Sequence, residues 1–255
     1  MAQRPATLLE FLRRDFPYLA DHEAAVRGGR VLVDRVIRLN PAFRVRRGAH
    51  VTMAPDQPLR GEAKLRAALE RFDVPVRDRI ALDVGASAGG FTRVLLEYGA
   101  ARVYAVDAGH GQLLGSLRQD SRVVNLEATN VGVLSPDLVR EPVEVVTVDV
   151  SYLSLRAAVE QVERVRIAAG AHLIGLVKPM FELRLPEAPD DDVRLAQALA
   201  RAEEGITGSG WHVLGSMHSP VLGAHGAREL LVHARRRDAP SPVDRASWAT
   251  GDVSR

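Results

Sequence analysis

The chain contains two lysines, Lys64 and Lys178, beside 32 arginines. Arginine keeps its charge at any pH a protein meets, whereas a lysine can lose its proton near neutral pH when burial or a neighbouring charge lowers its pKa. A residue that acts as a base, or as a compact point charge inside a site, is therefore expected to be lysine. Chance retention in an arginine-biased sequence is the alternative. The position of Lys178 favours a catalytic role over chance, because Lys178 ends an apolar run, 172–177, that is typical of a buried parallel strand.

An acidic residue is expected next to Lys178. Asp149 ends the apolar run 143–148, which predicts the preceding strand of the same sheet. Parallel strands end at the same edge, where open α/β sheets place their chemistry. A carboxylate within ~4 to 6 Å favours the charged form of a lysine. A structural salt bridge is the alternative, and the shared strand edge favours a catalytic pair.

A glycine-rich segment lies between the predicted strand 80–84 and a helix that begins at Phe91. Its glycines let the backbone approach a ligand, and the helix start offers free amides. The segment lacks strict dinucleotide spacing and holds no basic residue for a pyrophosphate. It therefore favours a nucleoside without phosphates, S-adenosylmethionine, with a tight strand-to-helix turn as the alternative. The predicted cofactor contacts are Asp83, Gly85, Ala86, Ser87, Gly89, Gly90, Phe91 and Asp149.

Polar residues also end the next two predicted strands. Asp107 is placed to accept hydrogen bonds from ribose hydroxyls, 24 residues after Asp83. Asn130 or Glu127 is predicted to read the adenine edge, and a simple turn or helix cap is the alternative for each. Without cysteine the chain has no disulfide or zinc-thiolate site, and its eight histidines lack metal-ligand spacing, so no metal is expected.

These residues need an open sheet to position them. After a helix from 61, strands alternate with amphipathic stretches, which predicts a Rossmann-like α/β fold with a mostly parallel sheet and helices on both faces. The strands near 211–217 and 227–233 have only turn-like residues between them and are predicted to pair antiparallel at the sheet edge. The parallel strands are predicted at 80–84, 102–107, 122–127, 143–149 and 171–178.

The N-terminal part has a different pattern. Residues 1–55 combine a helical pattern with short strands near 30–33 and 50–53 and predict a small α+β unit. Residues 1–60 carry eleven arginines against six acids, a surplus of five positive charges within a chain of net charge +2. That surplus favours a polyanion-binding face, or a solvated arginine-rich surface from biased codon usage.

Composition also predicts a linker, a tail and the location of the protein in the cell. The proline-rich 55–58 is the predicted linker, and 238–255 is a predicted disordered tail. No signal peptide and no run of eighteen apolar residues is evident, so the expected location is the cytoplasm and no membrane partner is expected.

Residues 61–236 resemble the FtsJ-like ribose 2′-O-methyltransferases. The whole chain looks like the TlyA (hemolysin A) family, in which an S4-type RNA-binding domain precedes that catalytic domain. The segments that carry the resemblance are 82–87, 89–92, 109–113, 129–130, 149–155 and 177–182, in the family's order.

The resemblance implies a Lys-Asp-Lys-Glu catalytic tetrad, which falls on Lys64, Asp149, Lys178 and Glu229. It implies S-adenosylmethionine as cofactor, rRNA as partner, and methylation of a ribose 2′-hydroxyl, of cytidine in this family. The resemblance also implies that residues 1–55 form a divergent S4-like domain and that residues 61–237 form the methyltransferase domain. The alternatives are a methyltransferase of a non-RNA substrate and a catalytically silent RNA-binding protein.

The chain departs from the family's pattern at several positions. Ala88 stands in place of a common threonine, Arg93 in place of a common aspartate, and Glu62 where a neutral residue or histidine is usual. The acidic segment 185–192 replaces a glycine-rich basic loop that is expected near the incoming RNA. The change in this loop bears on substrate identity more than on catalysis.

Overall fold

The protein is described from a computed structural model that covers residues 6–237 except 20, 28, 35 and 54–58. The predicted linker and the predicted tail lie outside the described residues.

The N-terminal unit packs two helices against a small antiparallel sheet. Helix α1 begins with a capping box, because Thr7 Oγ1 accepts from the Glu10 amide at 3.2 Å and the Glu10 carboxylate accepts from the Thr7 amide at 2.7 Å. The sheet has the order β2-β1-β3. This unit has its own apolar core, which includes Leu8, Leu12, Val26 and Val31. Its elements are α1 (Leu8–Asp15), α2 (His22–Arg27), β1 (Val31–Val33), β2 (Val36–Ile37) and β3 (Val51–Met53).

The second unit is built on a seven-stranded sheet. Its strands are β4 (Ile80–Val84), β5 (Arg102–Val106), β6 (Val123–Leu126), β7 (Val143–Val148), β8 (Ile167–Val177), β9 (Trp211–His218) and β10 (Leu230–Arg236). Its helices are α3 (Arg60–Phe72), α4 (Gly90–Glu97), α5 (Gly115–Gln119), α6 (Leu155–Val162), α7 (Pro179–Glu182) and α8 (Asp192–Gly208).

The sheet order is β6-β5-β4-β7-β8-β10-β9, and the first five strands are parallel. Strand β10 pairs antiparallel with both β8 and β9, which confirms the antiparallel pair at the sheet edge. Because β7 and β8 are parallel neighbours, the residues that follow them emerge at the same edge. This is the geometry expected for Asp149 and Lys178.

Helices cover both faces of the sheet, as the alternation predicts. Apolar residues of α6 and α8 pack on one face, and those of α3 and α4 pack on the other. Strand β8 begins at 167, four residues earlier than the predicted 171, and Gly170 within it has a φ of 68°. The pairing between β7 and β8 shifts register at this point, so the irregular start hid part of the strand from its apolar pattern.

Candidate active site

The glycine-rich loop joins β4 to α4 and needs glycine at two positions. Gly85 and Gly89 have φ values of 90° and 97°, which side chains rarely allow. A Cβ on Gly85 would lie 2.2 Å from the Asp149 carbonyl oxygen, and one on Gly89 would lie 2.1 Å from Leu117. The loop therefore packs closely against the end of β7 on one side and against α5 on the other.

Asp83 lies beneath this loop, and its exposed fraction is 0%. Its two carboxylate oxygens accept hydrogen bonds from the hydroxyls of Thr92, at 2.6 Å, and Thr147, at 2.9 Å. Burial raises the pKa of Asp83 to about 6, although both hydroxyls oppose this shift. The sequence predicts Asp83 among the cofactor contacts, but the structure places it where it ties β4 to α4 and β7 rather than where it faces a ligand.

Asp107, at the end of β5, is joined to the glycine loop. Its Oδ2 accepts from the Ser87 amide at 2.8 Å, and its Oδ1 accepts from the Gly109 amide at 2.6 Å. Ser87 itself has a φ of 47°. Two backbone donors thus fix the Asp107 carboxylate beside the loop.

The two candidates for adenine recognition are engaged locally. Asn130 caps a short 3₁₀ turn by accepting from the Gly132 amide at 2.9 Å. Glu127 accepts from the amides of Gln112 and Leu113 and pairs with Arg118 at 2.6 Å. Burial opposes a lower pKa for Glu127, but these hydrogen bonds and the Arg118 charge lower it overall. For both residues, these contacts match the local turn or cap that is the alternative to adenine recognition.

The four residues of the implied tetrad form two ion pairs. Lys178 Nζ lies 2.6 Å from Asp149 Oδ1 and also donates to Ser151 Oγ at 2.9 Å. Lys64 Nζ lies 2.6 Å from Glu229 Oε2, and both of these side chains are buried. Lys64 is supplied by α3, Asp149 and Lys178 follow β7 and β8, and Glu229 directly precedes β10.

Local sequence explains how Lys178 reaches the site. Pro179 has no amide hydrogen to continue the strand, and it begins α7, for which Lys178 is the N-cap residue. The carboxylate of Glu182, at the end of α7, accepts from the Leu155 amide at the start of α6. Burial raises the pKa of Glu182 to about 7. Glu182 therefore ties the segment after β8 to the segment after β7.

Two cavities meet at the tetrad. Lys64 and Arg60 line both of them, while Asp149 faces the smaller and Lys178 faces the larger. The smaller cavity, about 230 Å³, is bounded by the start of α3, by the glycine loop and by Gly90 and Phe91. The larger cavity, about 660 Å³, is bounded by Met180 and Phe181 of α7, by 186–188, and by Gly223, Ala224, Ala227 and Glu229. Groups held in the two cavities would thus face each other across the ion pairs.

The acidic segment 185–192 forms part of the larger cavity through Pro186, Glu187 and Ala188. Arg228, next to Glu229 in the chain, donates to the Asp190 carbonyl at 2.9 Å and lies 2.8 Å from the Asp192 carboxylate. The segment that departs from the family pattern is therefore held in place as one wall of this cavity.

Sequence reasoning missed two residues of the site. Ser151 lies in one of the segments that carry the family resemblance, but nothing in that segment predicts the hydrogen bond that it makes with Lys178. Arg60 lines both cavities, and its only signal is that it stands one helical turn before Lys64. Within 6–237, leaving aside the gaps, no group of three or more acidic or histidine side chains is arranged to hold a metal ion.

The chain is similar to known methyltransferases. Residues 59–236 match the family model described as FtsJ-like methyltransferase. The chain is 36% identical to the 16S/23S rRNA (cytidine-2′-O)-methyltransferase TlyA of Mycobacterium tuberculosis, over 98% of this chain and 95% of that protein. It is 33% identical to Hemolysin A of Brachyspira hyodysenteriae, over 68% and 75% of the two chains.

A solved structure is also similar over most of the chain. The structure of a candidate hemolysin from Streptococcus thermophilus superposes with a TM-score of 0.68 and 29% identity, and covers 94% of this chain and 91% of that one. The helices that the structure describes include none that is long and apolar enough to cross a bilayer. On the family model and on relatives that span nearly its whole length, the chain belongs to the FtsJ-like methyltransferase family.

Proposed function

We propose that this protein transfers a methyl group from S-adenosylmethionine to a ribose 2′-hydroxyl of rRNA, with cytidine as the modified nucleotide. The observation that carries the proposal is the pair of ion-paired lysines, each 2.6 Å from a carboxylate, at the junction of two cavities. The rRNA substrate and the nucleotide come from the TlyA relative, which carries that activity in its name.

The smaller cavity suits the proposed cofactor. Its glycine loop brings backbone close to a ligand, and the Asp107 carboxylate, fixed by two amides, can accept from a ribose diol. Asp149 lines this cavity, and its carboxylate would favour the positive charge of a sulfonium. When bound there, S-adenosylmethionine supplies a methyl group that is activated by the positive charge on sulfur. In this proposal Gly85, Ala86, Ser87, Gly89, Gly90, Phe91, Asp107 and Asn130 surround it, and Asp83 holds the loop from beneath.

The larger cavity receives the ribose. The 2′-hydroxyl is a weak acid, so a donor must stabilise the negative charge that develops on its oxygen during the displacement. Lys178 is the more accessible of the two lysines, with 15% of its side chain exposed against 7% for Lys64. In this proposal the Lys178 ammonium group passes a proton to Asp149 and takes up the proton of the 2′-hydroxyl, as the oxygen–methyl bond forms and the methyl–sulfur bond breaks. Ser151 holds the Lys178 nitrogen in place.

Lys64 and Glu229 act behind that contact. A buried ion pair often stabilises a fold no better than apolar residues of the same volume, because desolvating both charges is costly. Such pairs in a cleft are candidates for function rather than stability. In this proposal Lys64 adds positive potential at the junction of the cavities, and Glu229 orients Lys64. The N-terminal unit, proposed as a divergent S4-like domain, grips the RNA by shape and phosphate. An rRNA substrate implies work in the cytoplasm.

The test is a methylation assay with purified protein, S-adenosylmethionine carrying a labelled methyl group, and ribosomal subunits from cells that lack the enzyme. A 2′-O-methyl group blocks alkaline cleavage at its nucleotide, so mapping that protection locates the product. The expected result is protection at one cytidine, which disappears with Lys178→Ala. Label on a base or on protein would favour a different substrate. Failure to bind S-adenosylmethionine at all would favour the silent RNA-binding alternative.

A further inference from the structure

Two of the residues that depart from the family's pattern contact each other. Arg93 Nη1, in α4, donates to Glu62 Oε1, in α3, at 2.7 Å. The same Glu62 oxygen accepts from the Leu59 amide at 3.3 Å. Glu62 is only 5% exposed, whereas Arg93 reaches the surface. A glutamate and an arginine that are uncommon at these positions in the family thus join the starts of α3 and α4.

The pair lies where the two helices come closest. A Cβ on Gly90 would lie 3.2 Å from the Glu62 nitrogen and from the Gly61 Cα, and a Cβ on Gly61 would lie 3.2 Å from the Phe91 ring. The backbones of α3 and α4 therefore touch at their N-terminal ends. This contact affects the position of the glycine loop, because the loop leads directly into α4. It also affects the position of Lys64, which follows Glu62 by two residues.

The same two helix starts form facing walls of the smaller cavity. Leu59, Arg60, Gly61 and Lys64 line it from the side of α3, and Gly85 to Ala88 with Gly90 and Phe91 line it from the side of α4. A change in the spacing of α3 and α4 would therefore change the width of this cavity and the position of Lys64 together.

Holding the helices together does not by itself require a buried acid. Arg66 and Glu97 bridge the same two helices at 2.6 Å farther along, and their side chains are 41% and 44% exposed. An exposed pair avoids the desolvation that Glu62 incurs. Neither pair lines a cavity at the tetrad, but the buried pair lies at the cavity end of the helices, next to Gly61 and within one turn of Gly90, which both line the smaller cavity. The exposed pair lies farther along both helices.

We infer that Glu62 and Arg93 are a positioning pair that sets the spacing between the two walls of the cofactor cavity and holds Lys64 against it. The inference rests on the proposed function, because it takes the smaller cavity to be the S-adenosylmethionine site. Neither residue is placed in contact with the reacting atoms. Their effect reaches the reaction through the backbone contact of α3 with α4.

The experiment measures S-adenosylmethionine affinity by calorimetry on the full chain, for wild type, Glu62→Gln, Arg93→Gln and the double variant. Each single substitution is expected to raise the Kd about tenfold. The double variant is expected to be no weaker than the weaker single one, because residues in contact that act as a unit are not additive. Arg93→Lys, which keeps the charge, is expected to recover most of the affinity.

The control removes the exposed bridge between the same helices with Arg66→Gln and Glu97→Gln. Its Kd is expected to stay within twofold of wild type even if its melting temperature falls. The inference is wrong if wild type binds and Arg93→Gln, which changes a partly exposed residue, binds equally well. It is also wrong if the control weakens binding as much as the buried pair does. A wild-type protein that does not bind would instead overturn the proposed function and remove the basis of the inference.

Discussion

At the scale of single residues, the two lysines divide into an accessible one and an enclosed one. Lys178 contacts both Asp149 and Ser151 at the mouth of the larger cavity, and Lys64 is enclosed with Glu229 behind it. An ammonium group has three donors, so Lys178 retains one for a ligand in the cavity after its two contacts. This arrangement gives the accessible lysine the more direct proposed role.

Lys178→Arg is therefore expected to lower the single-turnover rate of methyl transfer by at least about 10²-fold, the scale for losing a general base or an oxyanion donor. Arginine keeps the charge, and its pairing with Asp149, but its larger planar group cannot share the proton of the hydroxyl. The Kd for S-adenosylmethionine should change less than about threefold. A variant that methylates its RNA at the wild-type rate would refute the role assigned to Lys178.

At the scale of elements, the pairing of β8 with β10 buries His233 and half-buries His172. His172 Nδ1 lies 3.0 Å from His233 Nε2, the rings are stacked with centroids 5.3 Å apart, and Phe72 of α3 packs on His233. Burial, with a smaller contribution from the neighbouring His172, lowers the pKa of His233 to about 4. Burial, followed by the charges of Arg79 and Arg235, lowers the pKa of His172.

This strand pair should make stability depend on pH. In the unfolded chain His233 takes up a proton near pH 6.5, but in the folded protein only near pH 4. The unfolded state therefore binds more protons between these values, and stability contributed by His233 is full above pH 6.5 and is lost as the pH falls toward 4. Glu182 has the opposite effect between about pH 4.5 and 7, because its pKa is raised in the folded state.

His233→Gln isolates the histidine contribution, since glutamine does not titrate and Glu182 is unchanged. The free energy of unfolding from urea titrations should fall less between pH 7 and pH 4 for this variant than for wild type, by on the order of 2 kcal/mol. Parallel pH profiles for the two proteins would show that His233 does not control acid stability.

At the scale of the whole molecule, positive charge is concentrated in the N-terminal part. Residues 1–60 have a surplus of five positive charges, and the rest of the chain has a net charge of three negative. Helix α2 reaches the catalytic unit through Arg27, whose Cβ lies 3.1 Å from the position that a Cβ on Gly115 of α5 would occupy. The basic N-terminal unit therefore contacts the catalytic unit at α5, the helix that packs against the glycine loop.

If this unit binds RNA phosphates, Arg13→Gln and Arg47→Gln should each reduce the steepness of the salt dependence of RNA binding. For each phosphate that the protein no longer neutralises, the slope of log K against log salt should change by about 0.7 to 0.9. Both arginines are exposed. Arg164→Gln, on an exposed residue just before β8 at the opposite edge of the sheet, is the control and should leave the slope unchanged. Equal slopes for all four proteins would assign the N-terminal charge another role.

Local patterns along the chain are enough to predict the fold class and the strand ends at which the candidate site lies. Apolar runs that end in Asp107, Asp149 and Lys178 predict parallel strands with polar ends, and the parallel arrangement requires those ends to share one edge. Each of these patterns spans a few neighbouring residues, so it can be recognised without any knowledge of distant contacts. The resemblance to a known family supplied Lys64 and Glu229, which no local pattern marks as partners.

The pairing of charges and the enclosure of polar groups depend instead on the folded molecule. Lys64 and Glu229 are 165 residues apart and meet because β10 inserts beside β8. The sequence could not show that Asp83 lies beneath the loop instead of facing the cavity or that Glu62 pairs with Arg93, and it left open whether Asn130 caps a turn. Burial and pairing depend on how distant elements close against one another, and a one-dimensional pattern of residue types does not encode that closure locally.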